Sequence, residues 1–257
     1  MSTLAANLYT GGALMKRGLN EILRVPGAGL PGILAPSIFM IGITSVFGNL
    51  TMLHNFGTGD YLSFVMPVSV LQAAGFTGAA TGVNLARDIE LGWFDRMLVS
   101  RTPRWVLLAS TVASASLRAL LPISFTLAVG FAIGANWPGI GGLLIAILCA
   151  CGFAAIIASL ACSIALHFKT QAAAPLMQAS AFVLALFTPA YAPQQLLTGW
   201  LQHVAKVNPT TKVLEAVRQG FVGDVTWATT STALVVLAAG LALTGGLALR
   251  GLNRMGV

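Results

Sequence analysis

Four stretches of this 257-residue chain, 25–53, 61–86, 119–166 and 225–249, contain no Asp, Glu, Lys, Arg or His. A helix needs about 20 apolar residues to cross the hydrocarbon core of a bilayer, and each stretch reaches or exceeds that length. The chain therefore reads as an integral membrane protein. Composition agrees: with 56% hydrophobic residues, 8% charged and a mean hydropathy of +0.84, a water-soluble fold of this size would leave too much apolar surface in solvent.

Turn signals divide the stretches into six predicted transmembrane helices of an all-α protein, Leu30–Leu53, Tyr61–Ala86, Val106–Gly134, Ile140–Phe168, Ala172–Tyr191 and Trp227–Leu249. They form one transmembrane domain spanning 1–257. The third and fourth share a single, nearly charge-free run, and the turn cluster Asn136-Trp137-Pro138-Gly139 with its interfacial aromatic separates them. No signal peptide is expected, because the first apolar run begins late, is too long for a leader core and precedes no small-residue cleavage pattern.

Six spans place both termini on one side of the membrane. That side collects Lys16, Arg17, Arg24, Arg87, Arg96, Arg101, Arg104, Lys169, Arg250 and Arg254, against Lys206, Lys212 and Arg218 on the other. Lys and Arg accumulate on the cytoplasmic side, so a multi-pass protein of the cell membrane with both termini cytoplasmic is expected. The net charge of +7 follows from these flanks, where anionic lipid headgroups attract them. No nucleic-acid partner is expected, since no basic patch carries interleaved aromatics for base stacking.

The inventory of reactive residues excludes several function classes. The six predicted spans hold no Asp or Glu, no G-x-S-x-G and only the terminal His167, so neither a hydrolase nor a proton-coupled carrier has the groups it needs. Cys149, Cys151 and Cys162 all lie in the fourth span, where they read as packing residues, and no metal site is expected. His54 and His203 are placed at the outer surface. None of the four lysines follows a glycine, so the phosphate-cradling G-x-x-x-x-G-K-[ST] is missing and the chain is not expected to be an enzyme or to bind ATP and Mg itself.

The largest charged cluster on the predicted cytoplasmic side runs from Arg87 to Arg104. Read as a helix, it repeats Ile89, Trp93 and Met97 at four-residue spacing on one apolar face, with Asp88, Glu90, Asp95 and Arg96 on other faces, and Pro103 ends it. Such a segment suits either docking to a partner or resting on headgroups. A second stretch, 194–224, alternates short apolar stripes: Leu197, Trp200, Leu201 and Val204, then Val213, Leu214, Val217 and Phe221. Asn208 is placed to cap a helix whose first residue is Pro209. Each piece holds about a dozen residues, about 18 Å, too short to cross. Two half-helices dipping into the outer leaflet, or an amphipathic hairpin lying on it, both satisfy this pattern.

Arg87-Asp88-x-Glu90-x-Gly92-x-x-x-Arg96-Met97 with Thr102-Pro103-Arg104 resembles the segment between the second and third spans of ABC type-2 transporter permeases, in particular the daunorubicin-resistance-like drug exporters. Pro193, Gly199-Trp200-Leu201, Asn208-Pro209-Thr210-Thr211 and Glu215-Ala216-x-Arg218 are similar in order to that family's outer segment before its last span, although Leu197-Thr198 stands where the family more often has a proline. The resemblance implies that Asp88, Ile89, Glu90, Gly92, Trp93, Arg96 and Met97 form a coupling helix that docks an ATPase subunit. It implies equally that Trp200, Asn208, Pro209 and Arg218 belong to a half-helix pair closing the outer end of a translocation route, and that an elbow helix lies along the inner leaflet before the first span. The interleaving of Leu14, Leu19, Ile22 and Leu23 with Lys16, Arg17, Glu21 and Arg24, stopped by Pro26 and Gly27, independently suggests such an interfacial helix within 1–27.

Within the spans, Ala74, Gly78 and Gly82 make a small-residue strip suited to close helix packing. Gln72, Gln171 and Gln178 either line a path or bridge helices. Arg118 falls near the bilayer centre, about 12 residues into the third span, where an arginine costs at least ~2.5 kcal/mol on insertion scales; Pro122, four residues on, is expected to bend the helix. Arg118 either faces a hydrated route or subunit interface, or is tethered within the protein. Together these readings give a permease subunit of an ATP-binding cassette exporter. It would work beside a second permease, identical or homologous, with separate ATPase subunits that bind the ATP and Mg, among membrane lipids, to move an amphiphilic drug, lipid or lipid-linked glycan outward. The alternatives are an ATP-independent channel or carrier, and a membrane anchor subunit.

Overall fold

The computed structural model describes residues 12–13, 15, 26–52, 60–98 and 102–255. Among these the chain is helical and without strands: α1 (Pro26–Phe47) with a 3-10 extension Gly48–Met52, α2 (Tyr61–Glu90), α3 (Trp93–Leu98), α4 (Arg104–Ile133), α5 (Gly139–Phe168), α6 (Ala174–Leu186), α7 (Gly199–Val207), α8 (Pro209–Arg218) and α9 (Trp227–Arg254). Five helical segments are long and apolar enough to cross a membrane: Gly32–Met52, α2, α4, α5 and α9. The elbow helix expected within 1–27 falls largely outside the described residues, and Pro26, expected to stop it, instead opens α1, a first-turn position where its missing N–H is harmless.

Local chemistry fixes the helix ends. Asp60 caps α2, its carboxylate accepting from the Leu62 and Ser63 amides at 3.1 Å each, and α2 continues past the expected Ala86 to Glu90. Gly134, at φ 113°, turns the chain out of α4 with its amide bonded back to Gly130 and Phe131. Lys169, at φ 56°, does the same for α5. The turn expected at Asn136–Gly139 lies between those two helices, and Pro122 stands inside an unbroken α4.

α2 is the axis of the bundle. Every residue from Tyr61 to Gly75 is buried, as befits a helix that is apolar all round. Its Ala74-Gly78-Gly82 strip lies against α5: a Cβ on Gly78 would stand 2.6 Å from the Ala154 carbonyl, and one on Gly82 2.5 Å from Ala161. Those contacts advance together in number, so α2 and α5 run parallel. The pairs Gly152 with Leu237, Gly240 with Ile156 and Gly251 with Leu166 make α9 parallel to α5 as well. α4 runs the other way, with Gly130 beside Met66 and Arg118 bonded to Thr81. Ile38, Phe39 and Val46 of α1, Leu117 and Leu121 of α4, and Val235 and Leu243 of α9 leave broad apolar faces exposed.

Two expected helices take a different form. The span predicted over Ala172–Tyr191 is helical only from Ala174 to Leu186, after a 3-10 turn at Gln171–Ala173. Its 13 residues cover about 20 Å. Pro189 has no N–H to continue the helix, and an irregular stretch carries the chain onward. The single helix expected after Arg87 is two pieces, because Gly92 at φ 69° breaks it into the end of α2 and the six-residue α3.

Candidate functional site

Apart from Arg118 and Gln178, the residues singled out in the sequence lie toward the two ends of α2. At the Glu90 end, past the break at Leu91-Gly92, Ile89 and Met97 of the expected stripe pack on one cluster while Trp93 does not join it. Phe94, which the four-residue spacing passed over, is the residue that inserts under the bundle, buried with Leu166 and Leu252 and flanked by Leu85, Ile89, Met97, Leu108 and Met255. Leu91 and Trp93 are left outside, 61% and 53% exposed. Asp88 is half-buried beside them, and Arg96 lies on α3. Glu90 reaches sideways: its carboxylate accepts from the Thr170 hydroxyl at 2.7 Å, the Gln171 amide at 2.9 Å and the Gln171 side chain at 2.7 Å. Arg104 Nη1 donates to the Leu252 and Asn253 carbonyls at 3.0 Å each, joining the start of α4 to the end of α9; a cation at a helix C-terminus also meets the negative end of its dipole.

The Tyr61 end is organised around the broken end of α6. A helix that stops leaves its last carbonyls without partners, and in a membrane protein those carbonyls must be met within the protein or by water in a cavity. Side chains meet two of them, at Leu184 and Ala185, and three more carbonyls in the stretch that follows. Thr188 donates to the Ala185 carbonyl at 2.6 Å, the acceptor that Pro189 cannot serve. Asn208 Nδ2 donates to Leu184 at 3.0 Å and Phe187 at 2.9 Å. Arg218 Nη2 donates to Ala190 at 3.1 Å, and the Tyr61 hydroxyl to Tyr191 at 2.9 Å.

The same side chains hold the half-helices. Asn208 Oδ1 accepts from the Thr210 amide at 2.9 Å, the expected cap of α8 ahead of Pro209. Arg218 Nε donates to the Phe64 carbonyl at 3.2 Å, and its guanidinium carbon stands 3.9 Å from the centre of the Phe64 ring. Loss of water pushes Arg218 down to about 9, with Glu215 and Tyr61 acting the other way, so it stays a cation at neutral pH. The stripe Val213, Leu214, Val217 and Phe221 is buried in the main core, whereas Trp200 and Val204 of α7 are exposed at 64% and 40%. Trp200 packs edge-on against Phe187, 6.2 Å between centroids. A groove of about 580 Å³ opens between α6 and α7, lined by Val183, Leu184, Phe187, Val204 and Val207 among others.

The candidates for a polar path are not brought together. Gln72 is buried and donates to the Tyr191 hydroxyl at 2.8 Å. Arg118 is 6% exposed among α2, α4 and α5, where its Nη2 donates to Thr81 Oγ1 at 2.7 Å. Thr81 lies nine residues beyond Gln72 on α2, about 13 Å along the axis. Gln178 is half-buried on α6, and Gln171 serves Glu90. Cys149 and Cys162 are buried and Cys151 half-buried in α5. The sequence reading missed Phe94, Tyr61, Tyr191, Thr170 and Gln219, whose side chain bonds Thr230 at 2.6 Å and the Thr226 amide at 3.0 Å. Only the prolines at 189 and 193 signalled that irregular backbone there would need such donors.

Residues 11–222 match the family model described as ABC-2 type transporter. Among curated proteins, the chain is 27% identical over 211 residues to the transport permease ycf38 of Cyanophora paradoxa, covering 80% of this chain and 71% of that one. It is 25% identical over 195 residues to the daunorubicin resistance ABC transporter permease protein DrrB1 of Streptomyces coeruleorubidus, covering 73% of this chain and 66% of that one.

Proposed function

The chain belongs to the ABC-2 type transporter family, and from that premise we propose that it is the permease subunit of an ATP-binding cassette exporter, paired with a second permease and driven by separate ATPase subunits. In this reading 170–191 is a sixth crossing, shared between the short α6 and the irregular stretch after it. The Glu90 end is cytoplasmic, a placement supported by the Lys and Arg that lie there: Arg87, Arg104, Lys169, Arg250 and Arg254. The α7–α8 pair is then the outer gate. ATP binding closes the ATPase pair, α3 and the end of α2 are displaced, and cargo between the two permeases moves outward. Amphiphilic cargo, a drug, lipid or lipid-linked glycan, suits walls rich in Phe, Leu, Ala and Gly, which offer burial and few directed hydrogen bonds.

One observation carries the coupling role: α3 is pinned by Phe94 while Leu91 and Trp93 project from the bundle. Exposed apolar side chains at this end suit a docked subunit, and co-purification separates that from a helix resting on headgroups. Affinity purification of the chain from its native membrane should bring down an ATPase in stoichiometric amount, and Trp93→Ala should weaken that association without lowering yield. Recovery of the same ATPase at the same ratio with the variant would remove the docking role.

A further inference from the structure

Three ties join α2 to segment 170–191 along its whole length. At the cytoplasmic end Glu90 takes three hydrogen bonds from Thr170 and Gln171. Midway, Gly75 lets α6 approach so closely that a Cβ there would stand 3.2 Å from Ala181 Cβ. At the outer end the Tyr61 hydroxyl holds the Tyr191 carbonyl and Gln72 holds the Tyr191 hydroxyl. The gate is fixed to the same unit: Arg218 reaches from α8 to carbonyls on both α2 and the segment, and Asn208 joins α8 to the end of α6. Irregular backbone after Leu186 gives no continuous helix through which a push on α6 reaches α7. Side-chain bonds make that connection instead.

We propose that α2 and segment 170–191 form one rigid lever, in which Glu90, through Thr170 and Gln171, is the positioning residue that makes displacement at α3 move the α7–α8 gate. This rests on the permease reading above. Glu90 is the last residue of α2 and directly precedes the Leu91-Gly92 turn into α3, so a displacement of α3 reaches Glu90 first. Its carboxylate also meets the start of the Gln171–Leu186 segment, whose first amides lack helical partners. With that hold lost, α6 stays tied to α2 at Gly75 and at Tyr61 and Gln72, so its cytoplasmic end no longer follows α3 and the Asn208 joint receives less of the displacement. Coupling through a two-state element of this kind is worth about fivefold or more in the linked equilibrium.

The test uses the whole permease with its ATPase in lipid nanodiscs, with all three native cysteines replaced. Spin labels at Gln202 on α7 and Leu144 on α5, both at the gate end, report the gate by the distance between them with and without ATP. Glu90→Ala should keep ATP hydrolysis and lower the ATP-induced shift in the ratio of the two gate-distance populations by about fivefold or more. Glu90→Gln should restore it, because its carbonyl oxygen still accepts from Thr170 and Gln171. Should Glu90→Ala fail to assemble, Thr170→Val combined with Gln171→Ala removes the two side-chain donors, leaves only the 171 backbone amide, and should give a loss in the same direction. A full population shift in either of these, or equal loss in Glu90→Gln, overturns the lever. If the unaltered chain recovers no ATPase, the permease reading falls first and the lever with it.

Discussion

Gly82→Ala should loosen the bundle at its centre. A Cβ at that position would lie 2.5 Å from the carbonyl carbon and Cβ of Ala161 and 2.6 Å from its carbonyl oxygen, whereas carbon atoms in ordinary contact stand about 3.5–4.0 Å apart. The two helices must part by about 1 Å. Neither yields easily, because the obstructing atoms are backbone and because Gly78, one turn away, meets Ala154 and Ala158 just as closely. The neighbouring Thr81 also holds Arg118 at 2.7 Å. Overpacking of this kind costs about 1–3 kcal/mol, and the backbone obstruction argues for the upper part of that range. The better helix propensity of Ala offsets about 1 kcal/mol, leaving a net loss of about 1–2 kcal/mol. At about 2–4 °C for each kcal/mol in a chain of this size, the midpoint for loss of the gel-filtration peak on heating should fall by about 5 °C. Gly246→Ala is the matched control, since that exposed glycine on α9 has nothing within 4 Å of its added Cβ. If Gly82→Ala melts with the control, the tight parallel crossing of α2 and α5 is wrong.

Asn208→Asp and Asn208→Ala separate the two duties of that side chain: Asp keeps the cap on α8 and loses the donors to Leu184 and Phe187, while Ala loses both, including about 1 kcal/mol for the cap. Amide hydrogen exchange over 209–218 should quicken more in Asn208→Ala than in Asn208→Asp, and equal rates would deny the cap its weight. Single cysteines at Thr198 and Ala172 in a cysteine-free chain should differ toward an impermeant thiol reagent added outside cells, with only Thr198 labelled; equal labelling contradicts the assigned crossing of 170–191. Arg118→Leu should express as well as the parent and leave cargo stimulation of the ATPase unchanged if its bond to Thr81 is a tether, since replacing a buried charge by apolar bulk is often neutral, and a changed cargo response would assign Arg118 to the route.

The long helices were legible because nothing else can be done with such runs. Charge-free length and the Asn136–Gly139 turn located α4 and α5 to within two residues at each end. The Asn208-Pro209 cap was legible for a similar reason: it is a local device whose donor and acceptor lie two residues apart. What escaped the sequence was set by partners far along the chain. Hydropathy extends the fifth span to Tyr191, and the distant Tyr61, Asn208 and Arg218 explain how the backbone survives without helix there. A four-residue period chose Ile89, Trp93 and Met97 as one face, and with Gly92 at φ 69° Phe94 turned inward beside Ile89 and Met97 while Trp93 turned out. Glycine is permissive in a way that periodicity does not register.

Arg118 and Arg218 show two answers to the same difficulty, a guanidinium kept from bulk water. Arg118 is met in the middle of the bundle by the Thr81 hydroxyl. That hydroxyl itself donates to the Thr77 carbonyl at 3.1 Å, within the helix ladder. Arg218 sits where the ladder has been given up. The carbonyl of Ala190, left over by the irregular stretch, needs a donor, and the guanidinium needs acceptors. Each deficiency satisfies the other, and the Phe64 ring covers the face of the cation that carries no N–H. A neutral donor of the same reach would meet the carbonyls without the attraction to that ring, and a lysine would place a point charge where a planar fork spans two carbonyls. The break in α6 and the cation on α8 are therefore one structural feature. The Arg218 bond to Ala190 joins the buried Val213, Leu214, Val217 and Phe221 stripe and the Asn208 contacts in holding α8 to the bundle where no continuous helix runs.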